Sequence, residues 1–207
     1  MKQLEGVLTE AVATMGLGLE PLQEATLLDY LALLAKWNRT YNLTAIHEPE
    51  RMLTHHVLDS LAVLPHVGPG PLLDVGSGGG LPGIPLAIAR PELEVTLLDT
   101  SQKKCSFMQQ AAIDLKLTGV RVVHARVEEF QREGGYPQIV SRAFSELREF
   151  VALTRHLLAP GGEWLAMKGL FPTEEIALLK GARVKRDVGL GVPGLGADRH
   201  LIVMEAD

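Results

Sequence analysis

Glycine recurs at alternate positions in one short segment of the chain, which gives that segment the composition of a ligand-binding loop. The segment follows a short apolar run and reads Asp74-Val-Gly76-Ser-Gly78-Gly-Gly80-Leu-Pro-Gly83. Glycine allows the backbone to turn tightly and to approach a ligand without a Cβ in the way. Because open α/β sheets bind nucleotide-type ligands where a strand passes into a helix, we expect such a ligand at this loop.

The spacing of the glycines separates two kinds of nucleotide loop. A dinucleotide fingerprint, G-x-G-x-x-G, would need its third glycine at the position of Leu81. The glycines stand instead at Gly76, Gly78 and Gly80. This arrangement resembles motif I of class I methyltransferases, which use S-adenosylmethionine (SAM). The resemblance implies that Gly76, Gly78 and Leu81 contact a SAM cofactor.

Two acidic positions follow the next two predicted strands, where the adenosine half of a cofactor would lie. Asp99 ends the second strand, and its carboxylate can accept both ribose hydroxyl hydrogens, whether the ligand is SAM or NAD. Val127 and Glu128 follow the third strand, and Glu128 can accept from an adenine amino group while a backbone N–H meets a ring nitrogen. Alternatively, the glycine loop and Asp99 form only a turn with a helix-capping aspartate. For Glu128, the alternative is an acidic residue in the first turn of a helix, where it stabilises the helix dipole.

The segment after the fourth strand lacks the residues that several methylation chemistries need. It reads Ser141-Arg142-Ala143-Phe144, without the Asn/Asp-Pro-Pro-aromatic motif of exocyclic-amine methylation, and Cys105 stands far from where a nucleophile for carbon-5 methylation is expected. We predict no catalytic side chain, which favours a target atom with a free lone pair, such as nitrogen 7 of guanine, methylated by positioning alone. Arg142 can hold cofactor or substrate; alternatively, it is a surface arginine paired with Glu146.

The third predicted helix places His56, Asp59 and Ser60 at i, i+3 and i+4, which raises the possibility of a catalytic triad. Neighbouring helical residues rarely reach triad geometry. We therefore favour a half-buried, hydrogen-bonded His56 that ties the helical segment to the core. Trp37 and Asn38 are expected to lock the packing of that segment rather than to stack on a base.

The predicted elements divide the chain into a helical N-terminal extension, residues 1–65, and a cofactor-binding domain, residues 66–207. Apolar spacing predicts helices over Leu4–Met15, after Pro21 and after Pro49, the last with the stripe Leu53, Val57, Leu61 and Leu64. Strands are predicted at Leu72–Val75, Val95–Leu98, Val120–His124, Gln138–Val140, Trp164–Met167 and Leu201–Glu205, with helices at 83–90, 102–117 and 145–158 and a turn at Pro160-Gly161-Gly162. This alternation predicts an α/β fold with a mostly parallel, doubly wound sheet of the Rossmann-like type.

The composition of the chain limits how it can bind nucleic acid and indicates its cellular compartment. The chain carries 20 Lys and Arg against 25 Asp and Glu, for a formal net charge of −5. Nucleic-acid-binding proteins are normally basic, so a nucleic-acid partner would have to bind a local patch. The sequence shows no membrane-length apolar run, no secretory signal at its start and a single cysteine, which together predict a cytoplasmic protein.

Beyond the glycine loop, a set of motifs in order along the chain resembles the RsmG/GidB family of bacterial methyltransferases, which modify nitrogen 7 of a guanine in 16S ribosomal RNA. The motifs are Trp37-Asn38-Arg-Thr-Tyr-Asn42-Leu-Thr44, His56-Val-Leu-Asp59-Ser60, Asp74 to Pro85, Arg126-Val-Glu128-Glu, Ser141-Arg142-Ala143-Phe144, Lys168-Gly169 and Arg199-His200-Leu. The resemblance implies methylation of guanine 527 with SAM as donor. It also implies cofactor contacts from Gly76, Leu81, Val127, Glu128 and Arg142. Gly79 departs from the family, which often has proline there.

A SAM-dependent 16S rRNA methyltransferase with an acidic surface needs basic side chains near its cofactor. Lys168, at the end of the fifth strand, and Arg199 are predicted to contact rRNA phosphates. We expect no metal and no membrane partner, and take a monomer as the default. The alternatives are a non-catalytic SAM-binding ribosome-assembly factor and an NAD-dependent dehydrogenase, although the latter should carry the G-x-G-x-x-G loop and a further substrate domain.

Overall fold

The structure, a computed structural model, describes residues 2–142, 144 and 146–207, with only the backbone of Lys2. Ala143 of the segment after the fourth strand, Ser145 at the start of the predicted helix 145–158, and Met1 lie outside the described residues.

Seven strands form a single sheet, and five of them run parallel as predicted. The strand order is β3-β2-β1-β4-β5-β7-β6, with β7 antiparallel to β5 and β6 antiparallel to β7. The strands are β1 (Leu72–Val75), β2 (Val95–Asp99), β3 (Val120–His124), β4 (Tyr136–Ser141), β5 (Leu158–Lys168), β6 (Ala182–Gly189) and β7 (His200–Ala206). The order reverses between β1 and β4, so the carboxyl ends of these strands form the crevice in which doubly wound sheets bind ligands.

Helices cover both faces of the sheet. The helices are α1 (Lys2–Thr14), α2 (Pro21–Tyr41), α3 (residues 49–61), α4 (Gly83–Ala89), α5 (Gln102–Asp114), α6 (Leu147–Thr154) and α7 (Thr173–Ala177), with 3₁₀ turns at Leu64–His66 and Arg155–Leu157. Adjacent strand residues alternate between two hydrophobic clusters, as Leu72 and Leu73 do in β1. The first cluster contains α1 to α5 and the second contains α6, so the whole N-terminal extension lies on one side of the sheet.

The third helix changes its hydrogen bonding in the middle. Pro49–Met52 and Asp59–Leu61 are α-helical, whereas Leu53–Leu58 between them is π-helical. The predicted apolar stripe is nevertheless buried, with Leu53 and Val57 at most 1% exposed. A π-helical turn carries one extra residue per turn and frequently occurs at functional sites. Here it contains His55 and His56 and is followed directly by Asp59.

Strand β6 and the full length of β5 are absent from the sequence prediction. β6 is an edge strand of exposed charged residues, and a register shift between Val184 and Arg186 interrupts the alternation that would reveal it. The predicted turn at Pro160-Gly161-Gly162 is a bulge inside β5, since pairing with β4 jumps from Tyr136↔Leu158 to Gln138↔Glu163. Turn residues and bulge residues share the same types, so sequence does not separate them.

Candidate functional site

The glycine loop connects β1 to α4 and is fixed to the neighbouring strand by its backbone. Gly76, Gly78 and Gly80 all have positive φ angles, of 71°, 59° and 83°. The amides of Gly76 and Ser77 donate to the carbonyl of Leu98 in β2, at 2.8 and 3.2 Å. The loop is therefore held in a left-handed conformation that glycine adopts readily, at the carboxyl edge of the sheet.

Close packing explains the last glycine of the motif. A Cβ at Gly83, the first residue of α4, would lie 2.3 Å from Leu97 Cδ2 and 2.8 Å from Asp74 Oδ2. The absence of a side chain therefore lets α4 begin directly against the strands, with its N-terminal amide groups at the loop.

Asp74 carries a buried carboxylate whose two oxygens differ. Oδ2 accepts from the Gly83 amide at 2.8 Å, whereas Oδ1 is buried without a hydrogen-bond partner among the residues that the structure describes. Burial raises the pKa of Asp74 to about 7, although the Gly83 hydrogen bond and the charge of Arg142 act in the opposite direction. The Asp74 carboxylate is fully buried, so it fixes the start of α4 against the loop and does not face solvent.

Asp99 stands at the end of β2, as predicted, and it organises the loop. Its Oδ2 accepts from the Gly78 amide at 2.9 Å and its Oδ1 accepts from the Ser101 amide at 2.8 Å. A carboxylate oxygen accepts more than one hydrogen bond, so these contacts leave acceptor capacity for ribose hydroxyls. Cys105 is buried on α5 and donates to the Asp99 carbonyl at 3.4 Å, away from the cavities described below.

A cavity of about 210 Å³ lies over the glycine loop. Four predicted cofactor contacts, Gly76, Gly78, Leu81 and Arg142, line it together. Its other side is formed by the N-terminal extension, which contributes Leu34, Leu43 and Thr44. The cavity thus lies between the extension and the sheet, and the extension completes its wall.

The extension also reaches the loop through Tyr30, a residue that the motif search did not single out. Its hydroxyl donates to the Gly79 carbonyl at 2.6 Å, and the side chain is fully buried. Burial raises the pKa of Tyr30 above its ordinary range, so the hydroxyl keeps its proton. The Trp37-to-Thr44 motif, which contains Leu43 and Thr44, was the sequence signal for the extension's contribution to the cavity wall. Tyr30 lies outside that motif.

Val127 and Glu128 lie beyond the carboxyl end of β3, in a turn. Val127 is buried, whereas Glu128 is 42% exposed and accepts from Arg126 Nη2 at 2.9 Å. The expected alternative, an acidic first helical turn, is wrong because residues 127–129 do not start a helix. The Ala125 amide donates to the Asp99 carbonyl at 3.3 Å, which places this turn beside the end of β2.

Arg142, just past the end of β4, is held by the N-terminal extension. Its Nη1 donates to the His55 carbonyl at 3.0 Å and to Asp59 Oδ2 at 3.2 Å. The alternative pairing with Glu146 is wrong, since the Glu146 carboxylate lies 3.7 Å from Arg148. Arg142 therefore belongs to the site and not to the surface.

Asp59 has a role that sequence reasoning missed, because it was considered only as part of a triad with His56 and Ser60. It is 1% exposed, and its Oδ1 accepts from Arg199 Nε at 2.8 Å while its Oδ2 accepts from Arg142. One buried carboxylate thus fixes two arginines from different parts of the chain. The available signal was its position between Leu58 and Leu61, because a charged residue on an apolar helix face needs a buried partner.

The contacts of His56 exclude the triad. Its Nε2 lies 2.8 Å from Thr44 Oγ1, and Ser60 Oγ donates to the His56 carbonyl instead of to the ring. Burial and the charge of Arg142 lower the pKa of His56 to about 4, so the ring is neutral at neutral pH. His56 is buried and joins two parts of the extension, whereas Asp59 reaches the core through Arg142 and Arg199.

A second cavity, of about 360 Å³, adjoins the first and shares Arg142 with it. Its lining includes His55, His56 and Asp59 from α3 together with Lys168 and Arg199, the two predicted RNA contacts. Lys168 Nζ pairs with Glu175 Oε2 at 2.7 Å and donates to the Phe144 carbonyl at 3.3 Å. The structure therefore brings the two basic residues together beside the cofactor cavity, each with an acidic partner.

Size alone does not identify the site. Three larger cavities, of about 410, 460 and 530 Å³, lie near the amino ends of the parallel strands, around Gly119 and Pro71. None of them is lined by any of the predicted site residues. No helix in the described part of the chain is both long and apolar enough to span a membrane.

Comparison with known proteins agrees with this geometry. The family described as rRNA small subunit methyltransferase G matches residues 23–202. The ribosomal RNA small subunit methyltransferase G of Laribacter hongkongensis is 56% identical over 200 residues, covering 96% of this chain and 97% of that protein. The protein of the same name from Chromobacterium violaceum is 54% identical over 199 residues and 95% of each chain.

A solved SAM-dependent methyltransferase from Aquifex aeolicus shares the fold. It has a TM-score of 0.58 and 20% sequence identity, and the match covers 76% of this chain and 93% of that one. The likeness confirms the predicted class I methyltransferase fold.

Proposed function

The chain belongs to the rRNA small subunit methyltransferase G family and is a SAM-dependent methyltransferase; on that premise, we propose that it methylates nitrogen 7 of guanine 527 in 16S rRNA. The substrate is the small ribosomal subunit or its rRNA, in the cytoplasm where ribosomes assemble. Membership of a methyltransferase family argues against the NAD-dependent dehydrogenase considered at first.

The observation that carries this proposal is that one side chain lines both cavities. Arg142 borders the cavity over the glycine loop and also the larger cavity beside it. A methyl donor and its acceptor must lie in contact, with the reacting atoms about 3–3.5 Å apart. Two adjoining cavities with a shared wall provide that arrangement, the first for the cofactor and the second for the base.

The residues around the first cavity fit SAM. Asp99, which holds the Gly78 amide of the cavity wall, has acceptor capacity for the ribose, and the backbone of Gly76 and Gly78 can approach the ligand closely. When bound, SAM supplies an electrophilic methyl group on a positively charged sulfur. In this proposal Val127 and Glu128 hold the adenine, because their turn adjoins the end of β2.

The second cavity suits an acceptor that needs no deprotonation. Of the buried groups in its wall, His56 is neutral with its Nε2 engaged by Thr44, and both oxygens of Asp59 are held by arginines, so neither of these two is placed to remove a proton. Nitrogen 7 of guanine carries a lone pair in the neutral base. The chain's contribution is therefore to orient the base and to exclude water, with the lone pair in line with the transferred methyl group.

Lys168 and Arg199 are proposed to contact phosphates of the rRNA around the target guanine. Both line the second cavity, and a guanidinium carries five N–H donors, so Arg199 can hold Asp59 and still bind a phosphate. Lys168 is only 11% exposed and is paired with Glu175, so it contributes mainly positive charge at the cavity wall. A direct contact with a phosphate would require this ion pair to separate. These contacts place positive charge locally on a chain of net charge −5.

The test uses methyl-labelled SAM with small subunits and with naked 16S rRNA, both from a strain that lacks this enzyme. We expect label in one guanine, and chain cleavage at guanine 527 after borohydride and aniline treatment, which detects a methylated nitrogen 7. Arg142→Ala should abolish labelling and weaken SAM binding. Arg148→Ala, an exposed arginine paired with Glu146, is the matched control and should leave both unchanged.

Three outcomes would contradict the proposal. Label at another base or atom would remove the assignment to nitrogen 7 of guanine 527. Label in neither substrate, despite tight SAM binding, would favour the non-catalytic assembly factor. Full activity of Arg142→Ala would show that the shared wall is not part of the site.

A further inference from the structure

The loop between β5 and α7, residues 169–172, forms a surface that the proposed reaction does not yet use; we call it the rim loop. We propose that Phe171 in the rim loop stacks on a nucleobase of the rRNA that flanks the target guanine. This inference rests on the proposed rRNA substrate and adds a base-stacking contact outside the two cavities.

The rim loop exposes two neighbouring apolar side chains. Leu170 is 76% exposed and Phe171 is 44% exposed, whereas Pro172 immediately after them is buried and anchors the loop. A single exposed apolar residue is ordinary, but an adjacent pair that includes an aromatic ring forms an apolar surface that a binding partner can cover.

The ring of Phe171 is held in place before any partner arrives. It packs against the His200 imidazole with ring centroids 5.7 Å apart and an interplanar angle of 64°. His200 is in turn fixed by Asp187, whose Oδ1 lies 3.0 Å from its Nδ1. An aromatic ring that is oriented in advance loses little conformational entropy when a flat ligand stacks on it.

The position of the rim loop identifies the partner. Lys168 and Gly169, which lead into it, line the second cavity, and a Cβ at Gly169 would lie only 3.6 Å from Arg199 Nη1. An aromatic ring beside a cavity bordered by Arg142, Lys168 and Arg199 meets the two needs of a single-stranded RNA segment, a stacking platform and positive charge. A flanking base is therefore the occupant.

The net charge supports a contact of this kind. With a charge of −5, the protein gains less from counterion release than a basic RNA-binding protein does. Stacking contributes affinity that does not depend on charge, and every base has a face to offer. A target guanine that leaves its stack also deprives its neighbour of a partner, which Phe171 can replace.

The experiment measures the affinity of S-adenosylhomocysteine-loaded enzyme for the rRNA substrate across salt concentrations. Phe171→Ala should weaken RNA binding by about 5- to 150-fold, the range for loss of one stacked base. The slope of the logarithm of affinity against the logarithm of salt concentration should stay unchanged, because no phosphate contact is lost.

Phe171→Tyr and Phe171→Trp should retain binding, whereas Phe171→Leu should not. The control is Leu22→Ala, because Leu22 is an exposed apolar side chain outside the rim loop, with 78% of its surface accessible against 76% for Leu170. This variant should bind RNA with wild-type affinity.

Phe171→Trp gives a second measurement that does not depend on a weakened variant. Its added fluorescence, taken as the difference from the wild-type protein with Trp37 and Trp164, should be quenched when RNA binds. Unquenched fluorescence, wild-type affinity of Phe171→Ala, or full rescue by Phe171→Leu would each overturn the inference. A wild-type enzyme that neither binds nor methylates rRNA would instead overturn the proposed function.

Discussion

Asp59 supplies a charge that two functional arginines share. Its carboxylate is 2% exposed, whereas Arg142 and Arg199 are 28% and 23% exposed. Removal of one partner from a buried ion pair costs about 3–5 kcal/mol, and partial solvation of the arginines reduces this cost here. If Arg142 and Arg199 bind cofactor and RNA as proposed, Asp59 is a positioning residue that acts through the arginines it holds.

We predict that Asp59→Asn lowers the affinity for SAM and the affinity for RNA together, and lowers the free energy of unfolding by about 2–3 kcal/mol. Calorimetric titration and thermal unfolding would measure these changes. Glu205→Gln, which removes the carboxylate of a partly exposed pair with Arg183, is the control and should cost at most about 1 kcal/mol. Reduced stability with unchanged affinity for both ligands would give Asp59 a purely structural role.

Asp74 predicts a dependence of stability on pH. Its pKa is raised from 3.8 to about 7 in the folded protein, mainly by burial. Between these values the folded protein binds more protons than the unfolded chain does, so the free energy of unfolding should fall as pH rises, by at most about 1.4 kcal/mol per pH unit. Asp74→Asn should remove this part of the dependence. Denaturant unfolding of both proteins from pH 4 to pH 8 would test it, and parallel curves would contradict it.

At the scale of elements, the start of α4 against β1 and β2 shapes the cofactor loop. Because a Cβ at Gly83 would overlap Leu97 and approach Asp74 Oδ2, the helix can start at the loop only with glycine at this position. The same contact keeps the Gly83 amide on Asp74, so the packing of α4 and the shape of the loop depend on one residue.

We predict that Gly83→Ala lowers the free energy of unfolding by about 1–3 kcal/mol and weakens SAM binding, since α4 must move away from the strands. Gly6→Ala is the matched control, because Gly6 also lies in a helix and a Cβ there would meet nothing within 4 Å. That variant should be more stable by about 0.5–1 kcal/mol. Equal effects of the two substitutions in chemical denaturation would contradict the packing argument.

Helix α3 links the extension to the core through polar contacts at the site. Its π-helical turn contributes the His55 carbonyl to Arg142, and the residue after that turn is Asp59. Trp37 of α2 adds an apolar contact, with its ring 5.6 Å from that of Phe107 in α5. The expectation that Trp37 and Asn38 lock the packing is confirmed, since Asn38 also holds the Thr44 amide at 2.8 Å.

At the scale of the whole molecule, the extension and the sheet share one hydrophobic cluster. Leu8 of α1 belongs to the same cluster as Leu72 of β1 and Val140 of β4. The division into residues 1–65 and 66–207 remains a prediction. A shared cluster suggests that the two parts unfold together.

We predict that Leu8→Ala lowers the free energy of unfolding by about 2–5 kcal/mol in a single transition, because Leu8 is fully buried. Tryptophan fluorescence can follow both parts, since Trp37 lies in the extension and Trp164 lies in the cluster on the other face of the sheet. Variants that keep only one of the two tryptophans should show coincident transitions. Separate transitions, with only the Trp37 signal shifted, would make the extension an independent unit.

Local sequence patterns determined most of the fold and the cofactor loop. The alternation of short apolar runs with amphipathic helices predicted the parallel strands, and the glycine spacing predicted SAM as the cofactor. These features depend on residues that are close in sequence, so their backbone preferences and hydrophobic periodicity can be read from short segments. Edge strand β6 escaped because its exposed charges and its bulge resemble a loop.

The tertiary structure alone decided how the site is completed. Asp59 meets Arg142 across 83 residues of sequence and meets Arg199 across 140, and no local pattern encodes such pairings. The same holds for Leu34 and Thr44, which close the cofactor cavity from the extension, and for Phe171 beside His200. The sequence by itself therefore determined the class of enzyme and its donor. Folding decided which side chains surround the acceptor, because a buried charge and an exposed ring acquire partners only when distant segments pack together.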